Sequence, residues 1–208
     1  SNDILDEIVE KIHDHICVGD TMIGFPVPKA QQTTLDKYCY DSLQTLNKHF
    51  LLKVAEQRLN NRSAKINKAE FEALLSSEEK QKIIENMNLF HWTSHFRDVF
   101  QSGGFDLIIG NPPYVRQELL KQDTGILNLQ LKDLYSEVIK GTLNSDLTMA
   151  RTSDLSILFL IRSIQLINPR GLVSFIMTDK WIQRNYGKVY RDFILNHCHI
   201  HDLIDLTA

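Results

Sequence analysis

Asn111-Pro112-Pro113-Tyr114 sets an amide, two consecutive prolines and an aromatic ring directly behind the apolar run Phe105-Asp106-Leu107-Ile108-Ile109-Gly110. The Asn111 side chain carries a carbonyl that can accept an N–H. Pro112 can offer a second acceptor, its main-chain carbonyl, and consecutive prolines fix that backbone so that both acceptors are preorganised. Two acceptors that each take one N–H of a conjugated amine would draw its nitrogen toward tetrahedral geometry. That frees a lone pair otherwise delocalised into the ring. Tyr114 adds an aromatic face on which a planar base can stack. The bland alternative is a turn, because Asn and Pro are common turn residues and an aromatic behind them can cap a core.

The elements that must position this tetrapeptide are legible around it. Phe105–Ile109 reads as a compact apolar strand, and ligands of α/β sheets bind at the carboxyl ends of strands. Gly171–Met177 reads as a second strand, introduced by a turn at Asn168-Pro169-Arg170-Gly171, and Ile200–Leu206 as a weaker third. Between the first two, helical periodicity predicts a helix over Asp154–Ile167; between the second and third, one over Lys180–Asn196. Strand, helix, strand, helix, strand predicts an α/β fold with a parallel sheet and crossover helices. The first ninety residues read as helical instead. Ile4, Leu5, Ile8, Val9, Ile12 and Ile16 recur at helical spacing. A breaker-rich connector follows at Gly24–Pro28, a longer helix runs from about Thr34 to about Leu59, and Ser76 with Glu79 forms a capping box. The expected division is therefore a helical region over residues 1–89 and an α/β unit over 90–208.

A longer pattern surrounds the tetrapeptide. Phe90-His91-Trp92, Phe100, the stretch Gly103–Arg116, Asp154-Leu155-Ser156-Ile157-Leu158-Phe159, and Gly171–Trp181 with Asn185-Tyr186-Gly187 behind it resemble the large adenine-specific DNA methyltransferases of type II, fused restriction-modification systems. The resemblance covers roughly residues 90–206. It implies a partial Rossmann-like methyltransferase sheet and a parent enzyme that moves a methyl group from S-adenosylmethionine to the exocyclic amine of a flipped adenine. It implies that Asn111, Pro112, Pro113 and Tyr114 form the catalytic loop, with Tyr114 also touching DNA. It would place Asp154 and Phe159 near cofactor and base, Asp154 as a cofactor contact. Asp154 reads equally as a helix N-cap, and Phe159 as a core residue on a helical stripe. Lys180, Arg184 and Lys188, with Arg191, are spaced to contact phosphates; Asp179 and Asp192 dilute them toward a merely solvated face. Trp181 reads as a packing residue. The same tetrapeptide occurs in methyltransferases of protein glutamine and ribosomal RNA, but the Phe-His-Trp approach and the long loop before Asp154 favour DNA.

Composition narrows the reading. With 23 basic and 26 acidic residues, the chain lacks the basic excess of a stand-alone DNA-binding domain. The acidic surplus lies in the first ninety residues. DNA would thus be held by a recognition domain outside these residues. Three scattered cysteines suit reduced thiols in the cytoplasm, and no apolar run is long enough for a membrane span. His197, His199 and His201 could line one face of an extended strand, but no metal site is expected. The family's strand and glycine-rich cofactor loop is not found, so the cofactor site is expected to be incomplete and these residues alone inactive. In that case the helical front would be a docking or scaffold module. A sheet without its first strand would also leave an uncovered edge prone to self-association.

Overall fold

The computed structural model of the 208-residue chain describes residues 89–115 and 154–206, with residues 47, 50–52, 69, 73, 78, 82 and 135. The two continuous stretches form α1 (Trp92–His95), α2 (Arg97–Gln101), β1 (Phe105–Gly110), α3 (Leu155–Leu166), β2 (Ile167–Phe175), α4 (Lys180–Gln183), a 3-10 turn (Asn185–Gly187) and α5 (Lys188–His197). β1 and β2 pair in parallel, Leu107 opposite Leu172 through Gly110 opposite Phe175. A parallel pair needs a crossover connection, and α3 supplies its last part, running straight into β2. The α/β class and the parallel pairing are as the sequence predicts.

Three boundaries differ from expectation. β2 begins at Ile167, not Gly171, and the turn expected at Asn168–Gly171 lies inside it as a bulge. Phe105 pairs with Ile167, yet the next pair is Leu107 with Leu172, so the intervening β2 residues must loop out. Asn168 organises that loop. Its Oδ1 accepts the Arg170 N–H at 2.8 Å, and its Nδ2 donates to Asp106 Oδ1. Pro169 has no N–H and loses nothing by leaving the ladder.

The single helix expected over Lys180–Asn196 is broken into α4, the 3-10 turn and α5. Arg184 turns extended at φ −87°, ψ 154°, which frees carbonyls at the end of α4. Arg191 answers them from α5, its Nη1 donating to Trp181 O at 2.7 Å and Arg184 O at 3.0 Å. Gly187 sits against the Trp181 carbonyl with no room for a Cβ. The third strand expected at Ile200–Leu206 does not form. These residues pair with neither β1 nor β2, and Leu203, Ile204 and Leu206 are exposed. An extended segment becomes a strand only when a neighbour takes its N–H and C=O groups.

The core gathers on α3. Leu155, Ile157, Leu158, Ile161, Ile164 and Leu166 are buried, and so are Ser156, Arg162, Ser163 and Gln165. A helix buried over most of its surface pairs polar groups within itself. Arg162 Nη1 donates to Gln165 Oε1 at 3.1 Å and Ser163 Oγ to Phe159 O at 2.9 Å. Phe159 itself is half-buried. A second cluster anchors the start of β1: Phe105 meets the rings of Trp92, Phe96 and Phe100 at 5.7, 5.4 and 5.4 Å. Gly104, at φ +115°, lets this start close against the Leu166 carbonyl, which a Cβ would approach to 2.5 Å.

In the front region, Asn47, Phe50, Leu51 and Leu52 are helical, as expected inside the Thr34–Leu59 helix. Phe50, Leu51 and Leu52 are buried. Glu78 and Lys82, behind the capping box, are also helical. The Ile4–Ile16 segment, the Gly24–Pro28 connector and the remainder of these helices lie outside the described residues.

Candidate active site

The carboxyl end of β1 delivers Asn111, and the ladder with β2 continues one step past both strands, Ile176 N donating to Gly110 O at 3.1 Å. That bond sets the Ile176 carbonyl beside the loop. Pro112 is buried and anchors the tetrapeptide, while Asn111, Pro113 and Tyr114 are exposed. The Tyr114 hydroxyl lies 2.8 Å from Asn111 Oδ1 and 3.1 Å from Ile176 O. A phenol has one proton, so it serves one of these acceptors at a time. Val115 then ties the loop to α3, its carbonyl accepting the Leu155 N–H at 2.8 Å. Side-chain amide, aromatic face and main-chain carbonyl thus converge where the two strands end. Such a set can hold a planar ring bearing an amine.

Asp154 stands at the N-cap position of α3 with extended backbone, yet its side chain makes no capping bond. Instead its carboxylate is buried. Oδ2 accepts the Thr178 hydroxyl at 3.3 Å and, in a longer contact of 3.5 Å, the Tyr186 hydroxyl. The Tyr186 phenol is pushed up to about 12, by burial first and then by the Asp154 charge and hydrogen bond. It is therefore a hydroxyl donor across the physiological range. Asp154 joins the start of α3 to the segment leaving β2 and to the 3-10 turn.

The basic residues fare unequally. Lys180 and Arg184 are exposed. Lys188 is paired to Asp192 at 2.7 Å on the surface, and Arg191 is spent on the carbonyls behind α4. Trp181 is half-buried and serves that same junction. The Phe90-His91-Trp92 run lies at the opposite end of β1, roughly 20 Å from Asn111 at about 3.3 Å per strand residue. Its side chains pack rather than face the site. Sequence reasoning missed Thr178, Tyr186 as an Asp154 partner, and the Ile176 carbonyl; for Thr178 the available signal was its place just past the carboxyl end of a strand. Among the described residues no group of three His, Cys, Asp or Glu side chains is placed to hold a metal, and no helix is long and apolar enough to cross a membrane.

The family model described as "Eco57I restriction-modification methylase" matches residues 30–208. Type II methyltransferase M.BstVI of Geobacillus stearothermophilus is 30% identical over 109 residues, 52% of this chain and 17% of that protein. M.XhoI of Xanthomonas vasicola is 32% identical over 107 residues, 50% of this chain and 17% of its own. Type II restriction enzyme and methyltransferase RM.Eco57I of Escherichia coli is 29% identical over 129 residues, 62% of this chain and 11% of its own. The matched stretches thus span well under a fifth of these curated relatives. No solved structure matches. With the family model covering all but the first residues, and a strand-end loop of amide, prolines and tyrosine at the centre of the matched region, the chain belongs to the Eco57I restriction-modification methylase family.

Proposed function

We propose that the protein carrying this chain is a site-specific DNA methyltransferase of a restriction-modification or phage-defence system. It transfers a methyl group from S-adenosylmethionine to the exocyclic amine of an adenine flipped out of the duplex. The observation that carries this reading is the exposed Asn111 amide at the carboxyl end of β1, its Oδ1 already engaged as an acceptor by a hydroxyl 2.8 Å away. Asn111 Oδ1 and the Pro112 carbonyl accept the two amine protons, which localises the nitrogen lone pair for attack. The Tyr114 ring stacks on the base, and buried Pro112 with Pro113 keeps the acceptors in place. S-adenosylmethionine, when bound, supplies the electrophilic methyl group. Asp154, at the start of α3, is the cofactor contact on this reading.

Lys180, Arg184 and Lys188 contact the DNA backbone, while a recognition domain elsewhere in the protein holds the duplex. The two strands and α3 are part of a Rossmann-like sheet that the whole protein completes, residues 90–208 supplying its catalytic-loop half and residues 1–89 a helical docking region. The protein acts in the cytoplasm. Separated from the rest, these residues self-associate through the uncovered edge of the sheet.

The test is methyl incorporation by the whole protein. Asn111→Ala is expected to abolish adenine methylation while circular dichroism stays unchanged. A variant that still methylates adenine would sink the mechanism. Label appearing in release-factor protein or ribosomal RNA instead of DNA would move the enzyme to another substrate class.

A further inference from the structure

We infer that the Tyr114 hydroxyl is a built-in placeholder for the target amine, occupying the Asn111 acceptor at rest and passing to the Ile176 carbonyl when a base arrives. The inference rests on the proposed adenine chemistry. It starts from one geometric fact: a hydroxyl with a single proton lies within reach of two acceptors, Asn111 Oδ1 at 2.8 Å and Ile176 O at 3.1 Å. In the resting site the shorter contact fills one of the two lone pairs of the carbonyl that catalysis needs. An amine arriving along that lone pair displaces the phenol from it.

The second acceptor lowers the cost of the exchange without abolishing it, the Ile176 contact being the longer of the two. Ile176 is held by its N–H to Gly110 O at 3.1 Å, so its carbonyl stays beside the loop whatever Asn111 does. The phenol proton can rotate from one oxygen to the other, and the hydroxyl is never left without a partner. The ring, half-exposed at 50%, stays tethered through its oxygen and remains available as the stacking face. No covalent step is involved; one neutral hydrogen bond replaces another.

The experiment is a cycle between one enzyme group and one substrate group in the whole protein. Its methylated position is first located in host DNA. Duplexes are then made with adenine there, or with purine, which lacks the exocyclic amine. Binding to wild type and to Tyr114→Phe is measured for both. Phenylalanine keeps the stacking ring and removes only the hydroxyl. The expected result is that Tyr114→Phe tightens binding of the adenine duplex about two- to tenfold relative to the purine duplex, the range of one exchanged neutral hydrogen bond. Equal effects on both duplexes, or a relative loss for adenine, would overturn the placeholder. Tyr114→Trp, which keeps an aromatic face without the phenol oxygen, repeats the cycle if the phenylalanine variant misfolds. Failure of the wild-type protein to methylate adenine would instead refute the underlying function, which separates the two outcomes.

Discussion

His91→Gln should remove a defined part of the protein's acid sensitivity. His91 is fully buried. Its Nε2–H donates to Asn47 Oδ1 at 2.8 Å, and its ring meets the Phe50 ring edge-on at 6.2 Å. Burial first, then the charges of His95 and Arg162, lower its pKa from 6.5 to about 4. The folded protein therefore keeps the ring neutral while the unfolded chain protonates it. Between these values the unfolded state binds more protons, so this contribution to stability is complete above pH 6.5 and is lost as pH falls toward 4. Integration over that window gives a loss of about 2 kcal/mol by pH 5 and about 3 kcal/mol by pH 4. Set against a typical total of roughly 5–15 kcal/mol, that is a substantial share.

Glutamine retains an N–H donor at the distance of Nε2 and cannot titrate, so its fixed cost is the same at every pH. Urea unfolding of both proteins at pH 7.5 and pH 5 supplies the assay, since the difference between them cancels the other titrating groups. The stability gap between wild type and His91→Gln should shift by about 2 kcal/mol in favour of the variant at pH 5. A gap that stays constant, or moves the other way, would refute the claim that His91 is buried neutral.

Gly104→Ala is expected to destabilise by about 2–4 kcal/mol, combining backbone strain at positive φ with a steric clash. Its Cβ would lie 2.5 Å from the Leu166 carbonyl. Gly103→Ala, where nothing lies within 4 Å, should show the strain alone, and equal losses in the two variants by chemical denaturation would argue against the contact. Asp154→Asn should lower the Tyr186 pKa from about 12 without restoring 10, because burial is the larger cause. Difference titration of the tyrosinate absorbance against wild type reads this directly, and an unmoved titration would remove Asp154 as a partner of Tyr186.

The parts of the fold that were legible in the sequence are those decided by neighbours along the chain. β1 is an apolar run closed by Gly110 and Asn-Pro-Pro, and α3 carries its periodicity over twelve residues. The errors fall where partners distant in sequence decide. Asn168–Gly171 carries a genuine turn signal, but Asp106 and Phe105 hold the bulged segment inside a strand. Lys180–Asn196 has helical composition throughout, but Arg191 reaching back to Trp181 and Arg184 makes the break tolerable. Ile200–Leu206 has the apolar content of a strand and no pairing partner among the described residues.

The site divides along the same line. Asn111, Pro112 and Tyr114 are adjacent, so their chemistry could be read from spacing. Thr178 and Tyr186 reach Asp154 across 24 and 32 residues, a distance at which local pattern says nothing. The Ile176 carbonyl was beyond residue-type reasoning altogether, because every residue has one. Only the ladder bond to Gly110 and the Tyr114 hydroxyl give that carbonyl a role. A loop read as two acceptors and a stacking face thus gains, from the parallel pairing of β1 and β2, a third acceptor that lets Tyr114 yield Asn111 without losing its own hydrogen bond.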